Sequence, residues 1–240
     1  DQAQKEYLKA VKIDNNHSLV WQQIIFIDAE NKDYDNIILH SSDALKSIPN
    51  NPTLWLYKGI AHTMKKEKEK AISSFESGIE HATSNPALSK QFYAQLGDLY
   101  NEVKKYEKSY NAYDKALEYD PNDPHVLNNY SYFLSLQKVN LAKAKSMSQH
   151  LIRMFPNEAT YLDTHAWVLY MKKEYKDAKN LLERALEFTQ DGTIIEHYGD
   201  VLFQLGEENK AVIQWKKAKI QGGTSELIDK KITDKILYEE

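Results

Sequence analysis

The sequence predicts an all-α fold made of repeated helix–turn–helix units, and three observations support that prediction. Gly and Pro are scarce, at 8 and 6 of 240 residues, whereas a β-rich fold normally uses more turn residues. Apolar residues recur at helical spacing, as in Leu96, Leu99, Tyr100 and Val103. A mostly small residue before a turn recurs every 33 to 38 residues, which is typical of a repeat array. Its positions are Ala10, Ala44, Gly78, Ala116, Leu151, Ala185 and Ala218.

The first elements follow from this period. Residues 1–17 are predicted to form the second helix of an incomplete unit, and complete units are predicted at 18–51, 52–89 and 90–123. The unit at 52–89 has four extra residues near 85–89, which we expect to lengthen the next first helix. A lone second helix cannot bury its apolar face against a partner of its own. We therefore expect the natural protein to continue N-terminally of Asp1 with further repeats.

The later elements continue the same register, with units predicted at 124–158, 159–191 and 192–225 and a capping helix at 226–240. The capping helix has an apolar face and a polar face, as the end of a repeat array needs to stay soluble. The apolar face comprises Leu227, Ile228, Ile232, Ile236 and Leu237. The polar face comprises Asp229, Lys230, Lys231, Asp234 and Lys235.

Small residues are predicted where the two helices of a unit cross closely, because a larger side chain would push the helix axes apart. Gly59, Gly97 and Gly199 are examples. Bulky residues such as Phe75 and Trp215 are expected to fill the space between one helix pair and the next.

The unit at 90–123 resembles the tetratricopeptide repeat (TPR), a 34-residue helical hairpin. It reads Tyr93-x2-Leu96-Gly97-x2-Tyr100, followed by Tyr106, Tyr113, Ala116 and Pro121. The resemblance implies a right-handed superhelical solenoid of antiparallel helix hairpins, with a concave face lined by the first helix of each unit. The unit at 18–51 matches least well, because Ile25 and Ile37 stand where small residues are expected.

Composition and motifs exclude several function classes. Lys and Arg total 31 against 35 Asp and Glu, a net charge of −4, which argues against nucleic-acid or anionic-membrane binding. The longest apolar run, 166–171, is far shorter than the ~20 residues that span a bilayer, so no membrane insertion is expected. Cysteine is absent, and none of the eight histidines forms an HExxH pattern. With no phosphate-binding or nucleophile motif either, we expect no enzyme activity, no catalytic residue, no cofactor and no metal.

The concave face is the predicted functional site, and it is expected to bind a partner protein or peptide. Asn128 and Asn129 can donate and accept hydrogen bonds to a peptide backbone. Tyr132, Trp167 and Tyr170 lie at helical spacing and would form an aromatic wall. The alternative is that Trp167 and Tyr170 pack between neighbouring helices. The predicted binding residues are Gln95, Asp98, Asn128, Asn129, Tyr132, Asp163, Thr164, Trp167, Tyr170, His197 and Asp200.

The partner is expected to be neutral to basic and partly apolar, because carboxylates are frequent on the predicted concave face. They are Asp98, Glu102, Asp163, Glu196 and Asp200. The two-carboxylate clamp of chaperone-binding TPR proteins, which pairs Lys, Asn and Arg, is absent. Asn129 matches its middle position, but no basic residue stands at the corresponding positions of the neighbouring units.

Three segments, 127–132, 162–170 and 196–202, are similar to the C-terminal arrays of bacterial envelope TPR lipoproteins. They carry the patterns LN-x-x-S-Y, LD-T-x-A-W-x-L-Y and H-x-GD-x-L. The resemblance implies a periplasmic or outer-membrane-anchored location, while a cytoplasmic location stays open. It also implies a scaffold or an adaptor that delivers clients to a periplasmic protease.

The function predicted from these patterns is a non-enzymatic protein–protein interaction scaffold that binds its partner in the concave groove. Two alternatives stay open at this point. One is a self-assembly module that forms a homo-oligomer through its terminal helices. The other is a periplasmic adaptor subunit of a protease or an envelope-assembly complex.

Overall fold

A computed structural model describes residues 2–238, and over that range the chain forms fourteen α-helices and no β-strand. The prediction of an all-α fold is confirmed. The helices are α1 (Gln2–Ile13), α2 (Ser18–Glu30), α3 (Tyr34–Ser47), α4 (Pro52–Met64), α5 (Lys68–Ile79), α6 (Pro86–Glu102), α7 (Tyr106–Tyr119), α8 (Pro124–Leu136), α9 (Leu141–Met154), α10 (Ala159–Met171), α11 (Tyr175–Ala185), α12 (Gly192–Gln204), α13 (Glu208–Gln221) and α14 (Ile228–Asp234).

The chain divides into two compact units, the first ending at Pro121 and the second beginning at Asn122. In the first unit α2/α3, α4/α5 and α6/α7 form helical hairpins, and each hairpin contacts the helix before it. In the second unit the hairpins are α8/α9, α10/α11 and α12/α13, and α14 packs against α13. Each unit therefore consists of three stacked hairpins and one additional helix.

Several first helices begin with an asparagine or aspartate cap followed by proline. The Asn51 side chain accepts hydrogen bonds from the backbone N–H groups of Thr53 and Leu54, while Pro52 occupies the first helical turn. Asn85 and Asp123 cap α6 and α8 in the same way. Helix α6 has 17 residues where α4 has 13, so the additional residues lengthen this first helix at its N-terminus.

The turn inside each hairpin has the same left-handed geometry. The residue after the first-helix C-cap has a positive φ in all six hairpins, and it is lysine in five of them. These residues are Lys32, Lys66, Lys104, Lys138, Lys173 and Gly206. The N–H of the next residue donates to the carbonyl five residues earlier, for example Glu67 to His62 and Glu207 to Leu202. This pattern is a Schellman motif, which satisfies the last carbonyl groups of the first helix.

Bulky side chains pack against the small residues of their own hairpin. A Cβ added to Gly97 would lie 2.4 Å from the Tyr113 ring, and one added to Gly199 would lie 2.5 Å from Trp215. Phe75 covers Gly59 in the same manner and also meets Phe92 of the next hairpin edge-on, with ring centroids 6.0 Å apart. These residues therefore fill the crossing within their own hairpin, and Phe75 also reaches the next hairpin, as the sequence predicted.

The C-terminal helix differs from its prediction. Helix α14 spans only Ile228–Asp234, whereas a capping helix was expected over 226–240, and residues 239 and 240 lie outside the described range. Lys231 was assigned to the polar outer face, but it is only 4% exposed because it forms internal ion pairs. Ile236 was assigned to the apolar face, yet it is 49% exposed because it lies beyond the end of α14.

Candidate functional site

The first helices α8, α10 and α12 of the second unit bring several predicted binding residues to one pocket. Helix α10 lies between the other two and contacts both. The pocket has a volume of about 280 Å³. Its lining includes five of the predicted residues, namely Tyr132, Trp167, Tyr170, His197 and Asp200. We call it the aromatic pocket. A second wall comes from Glu196 and from residues between Gly223 and Tyr238, and Leu136, Lys138, Met171 and Thr193 complete the lining.

Three rings stack along one side of the aromatic pocket. The Trp167 ring lies 4.8 Å from Tyr170 with an interplanar angle of 8°, and 4.1 Å from His197 with an angle of 23°. Tyr170 is buried against Tyr175, whereas Trp167 is only partly buried. The sequence left open whether these residues line the groove or pack between helices. Tyr170 packs between helices, whereas Trp167 presents accessible ring surface to the pocket.

His197 is held by a carboxylate of the neighbouring hairpin. Its Nδ1 lies 2.8 Å from Oδ1 of Asp163. Burial is the largest single influence and lowers the pKa of His197, but the charge and hydrogen bond of Asp163 together with the nearby carboxylates outweigh it and raise the pKa above its ordinary value. Asp200 and Glu196 act in the same direction. This ion pair fixes the imidazole plane against Trp167, where a charged ring also favours the π face.

The two carboxylates of α12 share one cation from within the chain. Nζ of Lys231 lies 2.8 Å from Glu196 and 2.8 and 2.9 Å from the two oxygens of Asp200. Asp200 also accepts a hydrogen bond from Nε1 of Trp215, at 2.8 Å. Both carboxylates are buried and share this cation, so they contribute less to the surface charge of this face than the sequence suggested, and the acidic character of the groove stays a prediction.

The protonation states of this cluster follow from its contacts. Burial opposes the charge of Glu196, but hydrogen bonds from Lys231 and Ser225 outweigh it and lower the pKa of Glu196. Burial also opposes the charge of Lys231, but the two carboxylates outweigh it and raise the pKa of Lys231. Both groups are thus held in their charged forms.

Two buried polar atoms in this part of the chain have no partner. Among the described residues that are not exposed, Nε1 of Trp167 and Oδ1 of Asn128 are the buried side-chain atoms without a hydrogen bond. An unsatisfied buried polar atom costs about 1–3 kcal/mol. Nε1 of Trp167 is a hydrogen-bond donor and Oδ1 of Asn128 is an acceptor. The C=O and N–H groups of a peptide backbone are their respective complements.

The other predicted binding residues lie outside the aromatic pocket. Nδ2 of Asn128 donates to Oδ1 of Asn129 at 3.2 Å, one helical turn before Tyr132. Thr164 is only 4% exposed, so the expectation that it contacts a partner is corrected by its burial. Asp163 is buried as well and acts through His197 instead. Gln95 and Asp98 belong to the first unit, where Asp98 accepts a hydrogen bond from the Tyr113 hydroxyl.

The set of predicted binding residues missed the C-terminal contribution to the pocket. Lys231, Ser225 and Tyr238 belong to this wall, and none was predicted to line a site. The amphipathic pattern of 226–240 indicated a helix that packs on the array. It could not show which carboxylate, 31 or 35 residues earlier, would bind Lys231.

Two further features bear on the kind of site. Over residues 2–238, each helix is too short or too polar to cross a bilayer. Within the same range, His, Asp and Glu side chains form no group of three or more that could hold a metal ion.

Residues 90–123 match the family model of the tetratricopeptide repeat. A TPR repeat-containing protein of Methanocaldococcus jannaschii, MJ1428, is 21% identical over 271 aligned residues, covering 91% of this chain and 47% of that protein. The human protein O-mannosyl-transferase TMTC1 is 25% identical over 124 residues, covering 50% of this chain and 14% of that protein. The chain thus spans less than half of the length of either of these curated relatives.

Solved structures agree on the fold. YrrB, described as a TPR protein with an unusual peptide-binding site, superposes with a TM-score of 0.67 at 15% identity. The alignment covers 85% of this chain and 97% of YrrB. The fold is therefore that of the TPR solenoid proteins, and recognition of the repeat in the sequence is confirmed. This class of protein generally serves as a non-enzymatic scaffold for protein–protein interaction. The more specific resemblance to envelope lipoproteins stays a prediction.

Proposed function

We propose that the chain is a non-enzymatic protein–protein interaction scaffold that binds a peptide segment of its partner on the face formed by α8, α10 and α12. The observation that supports this most is the aromatic pocket, where Tyr132, Trp167 and Tyr170 lie together. Tyr132 and Trp167 are partly exposed there, and partly exposed aromatic side chains surrounded by polar groups are typical anchors of protein interfaces.

The polar atoms of this face support a peptide as the partner segment. The Trp167 N–H and the Asn128 carbonyl oxygen are both buried without a partner. A peptide backbone carries both complementary groups, and it would reach these atoms once the Trp167 and Asn128 side chains rotate toward the groove. The peptide-binding site named for YrrB is consistent with this proposal, since the two chains share their fold.

Selection from a library of random peptides displayed on phage tests the proposal. We expect selected peptides to bind the wild-type protein and to lose at least tenfold in affinity on Trp167→Ala, because hot-spot aromatics typically contribute 2 kcal/mol or more. Phe188→Ala is the matched control, since Phe188 is an exposed aromatic residue of the same unit that does not line the aromatic pocket. Circular dichroism of both variants checks that the helices are retained.

A library that yields no binding peptide would contradict the proposal. So would peptides whose affinity is unchanged by Trp167→Ala, because they would bind elsewhere on the chain. Combining Trp167→Ala with Asn129→Ala extends the test to the polar residues of α8. If α8 contributes, the double variant binds more weakly than either single variant.

Self-assembly is the alternative that has a surface in the structure. Ile213 and Ile220 of α13 are 61% and 83% exposed, seven residues apart on one helix. Light scattering separates the two functions, because self-assembly requires a mass that rises with concentration. The adaptor function would instead appear as co-purification of the full protein with a protease from its own cells.

A further inference from the structure

We propose that the segment 222–238, which we call the C-terminal strap, is an internal ligand of the aromatic pocket, and that the external partner replaces it with a lysine-containing amphipathic segment. The inference rests on the proposed function and adds the chemistry of the partner and its competitor. It follows from the contacts by which the strap is held.

The strap binds α12 through polar groups at two places. Near its start, the Gly223 carbonyl accepts a hydrogen bond from Oγ1 of Thr193 at 2.7 Å. The backbone N–H of Ser225 then donates to Glu196 at 2.7 Å. Further along, Lys231 inserts its ammonium group between Glu196 and Asp200, with less than a tenth of its side chain exposed. The strap therefore occupies one wall of the pocket as a bound segment would.

The rest of the strap is held by apolar contacts of Ile228, Ile232 and Leu237 and by an exposed ion pair between Lys219 and Asp229. Helix α14 has only seven residues, too few to be stable without tertiary contacts. The preceding chain is not helical from Gly222 to Leu227, and Gly222 has a φ of +82°. Of its apolar side chains Ile228 is buried, whereas Ile232 and Leu237 are only half-buried. Because the ion pairs of Lys231 are buried and the pair between Lys219 and Asp229 is exposed to solvent, we expect docking of the strap to depend mainly on Lys231.

The geometry at Lys231 specifies the ligand chemistry. An ammonium group has three N–H donors, and Nζ has three carboxylate oxygens within 2.8–2.9 Å. A compact cation on an unbranched stem fits this arrangement, whereas a planar guanidinium has a different donor pattern. Ile228 and Ile232 lie three residues before and one after Lys231, so the bound lysine is flanked by apolar side chains. A partner segment that replaces the strap needs the same combination.

The test uses a fluorescently labelled synthetic peptide with the sequence of residues 225–238. In the wild-type chain the strap competes with the added peptide for the pocket, and its effective concentration is roughly millimolar because it is attached by a short tether. We expect Lys231→Ala to release the strap and to strengthen peptide binding at least tenfold, measured by fluorescence anisotropy. Lys235→Ala is the matched control, because Lys235 is an exposed lysine of the same strap, and this variant should bind as the wild type does.

Two variant peptides test the chemistry. A peptide carrying Lys231→Gln should lose at least tenfold in affinity for the Lys231→Ala protein, and one carrying Lys231→Arg should also bind more weakly. Equal binding of all three peptides would overturn the proposal, because the carboxylate pair would then not select an ammonium group.

Hydrogen exchange keeps the proposal testable if Lys231→Ala fails to fold. A saturating concentration of the peptide should increase the rate of amide hydrogen exchange in residues 222–238 of the wild-type chain, while α10 stays protected. Unchanged exchange there, or no gain in affinity for a folded Lys231→Ala protein, would overturn the inference. The proposed function would still stand if phage-selected peptides depend on Trp167, so the two failures are distinguishable.

Discussion

The buried His165 shows how single residues couple stability to pH. Its Nδ1 lies 2.8 Å from Oγ of Ser148, and its side chain is almost fully buried. Burial, with a smaller contribution from the charge of Lys145, lowers its pKa to about 4, while Glu174 opposes the shift. The unfolded chain binds this proton near pH 6.5, whereas the folded chain does not bind it until about pH 4. Stability should therefore fall as the pH falls through this window.

We expect the pH dependence to be reduced by His165→Asn, which keeps a hydrogen-bonding group near the position of Nδ1. Between pH 7.5 and pH 5 the unfolding free energy of the wild type should fall by about 2 kcal/mol more than that of the variant. The reason is that each pH unit below the ordinary histidine pKa costs the wild type about 1.4 kcal/mol. Urea denaturation at both pH values measures the difference. His150→Gln is the control, since His150 is exposed in the same unit. Equal pH slopes for wild type and His165→Asn would contradict the assignment.

Single residues also show where prediction from the sequence stopped. Tyr132, Trp167, Tyr170 and His197 could be placed on one face because helical spacing determines which residues of a helix point the same way. Spacing cannot show whether a polar side chain on that face is accessible. Thr164 is covered by neighbouring helices, which local periodicity does not describe. The pairing of Asp200 with Lys231 joins residues 31 positions apart and depends on how the strap folds back.

At the scale of elements, the repeat period predicted helical hairpins, but it did not predict the left-handed backbone geometry of their turns. A left-handed C-cap is normally signalled by glycine, and only Gly206 carries that signal. The five equivalent lysines adopt the same conformation because the hairpin requires it. Each of them adopts a backbone conformation that costs about 1–2 kcal/mol for a residue with a Cβ.

The turns therefore offer substitutions with opposite effects. Gly206→Ala should destabilise its unit by about 1 kcal/mol, because a Cβ meets no atom within 4 Å there and only the positive φ opposes it. Lys104→Gly should stabilise its unit by about 0.5–1 kcal/mol, since relief of the backbone outweighs the greater entropy of glycine in the unfolded chain. Urea denaturation of both variants measures the two changes, and effects of the same sign would contradict this account.

At the scale of the whole molecule, stability is distributed over hairpins, and within each unit the hairpins of the described chain pack against their neighbours in sequence. The two units each hold their own apolar clusters, and the aromatic pocket belongs entirely to the second. Destabilisation of a distant hairpin should therefore leave this pocket intact. The fold class makes that expectation accessible from the sequence, whereas the pocket depends on how α8, α10, α12 and the C-terminal strap pack together in three dimensions.

Gly59→Ala tests the expectation, because a Cβ there would lie 2.2 Å from the Phe75 ring within the hairpin α4/α5. Overpacking of this kind typically costs 1–3 kcal/mol. Hydrogen exchange should rise across 52–79, while protection of α10, α12 and the C-terminal strap stays as in the wild type.

Gly199→Ala is the matched change in the second unit, where the added Cβ would displace Trp215 and with it the hydrogen bond to Asp200. That variant should expose the strap, since the carboxylate that binds Lys231 loses its position. Loss of strap protection in Gly59→Ala would instead show that the units unfold as one, and the nearest-neighbour account would fail.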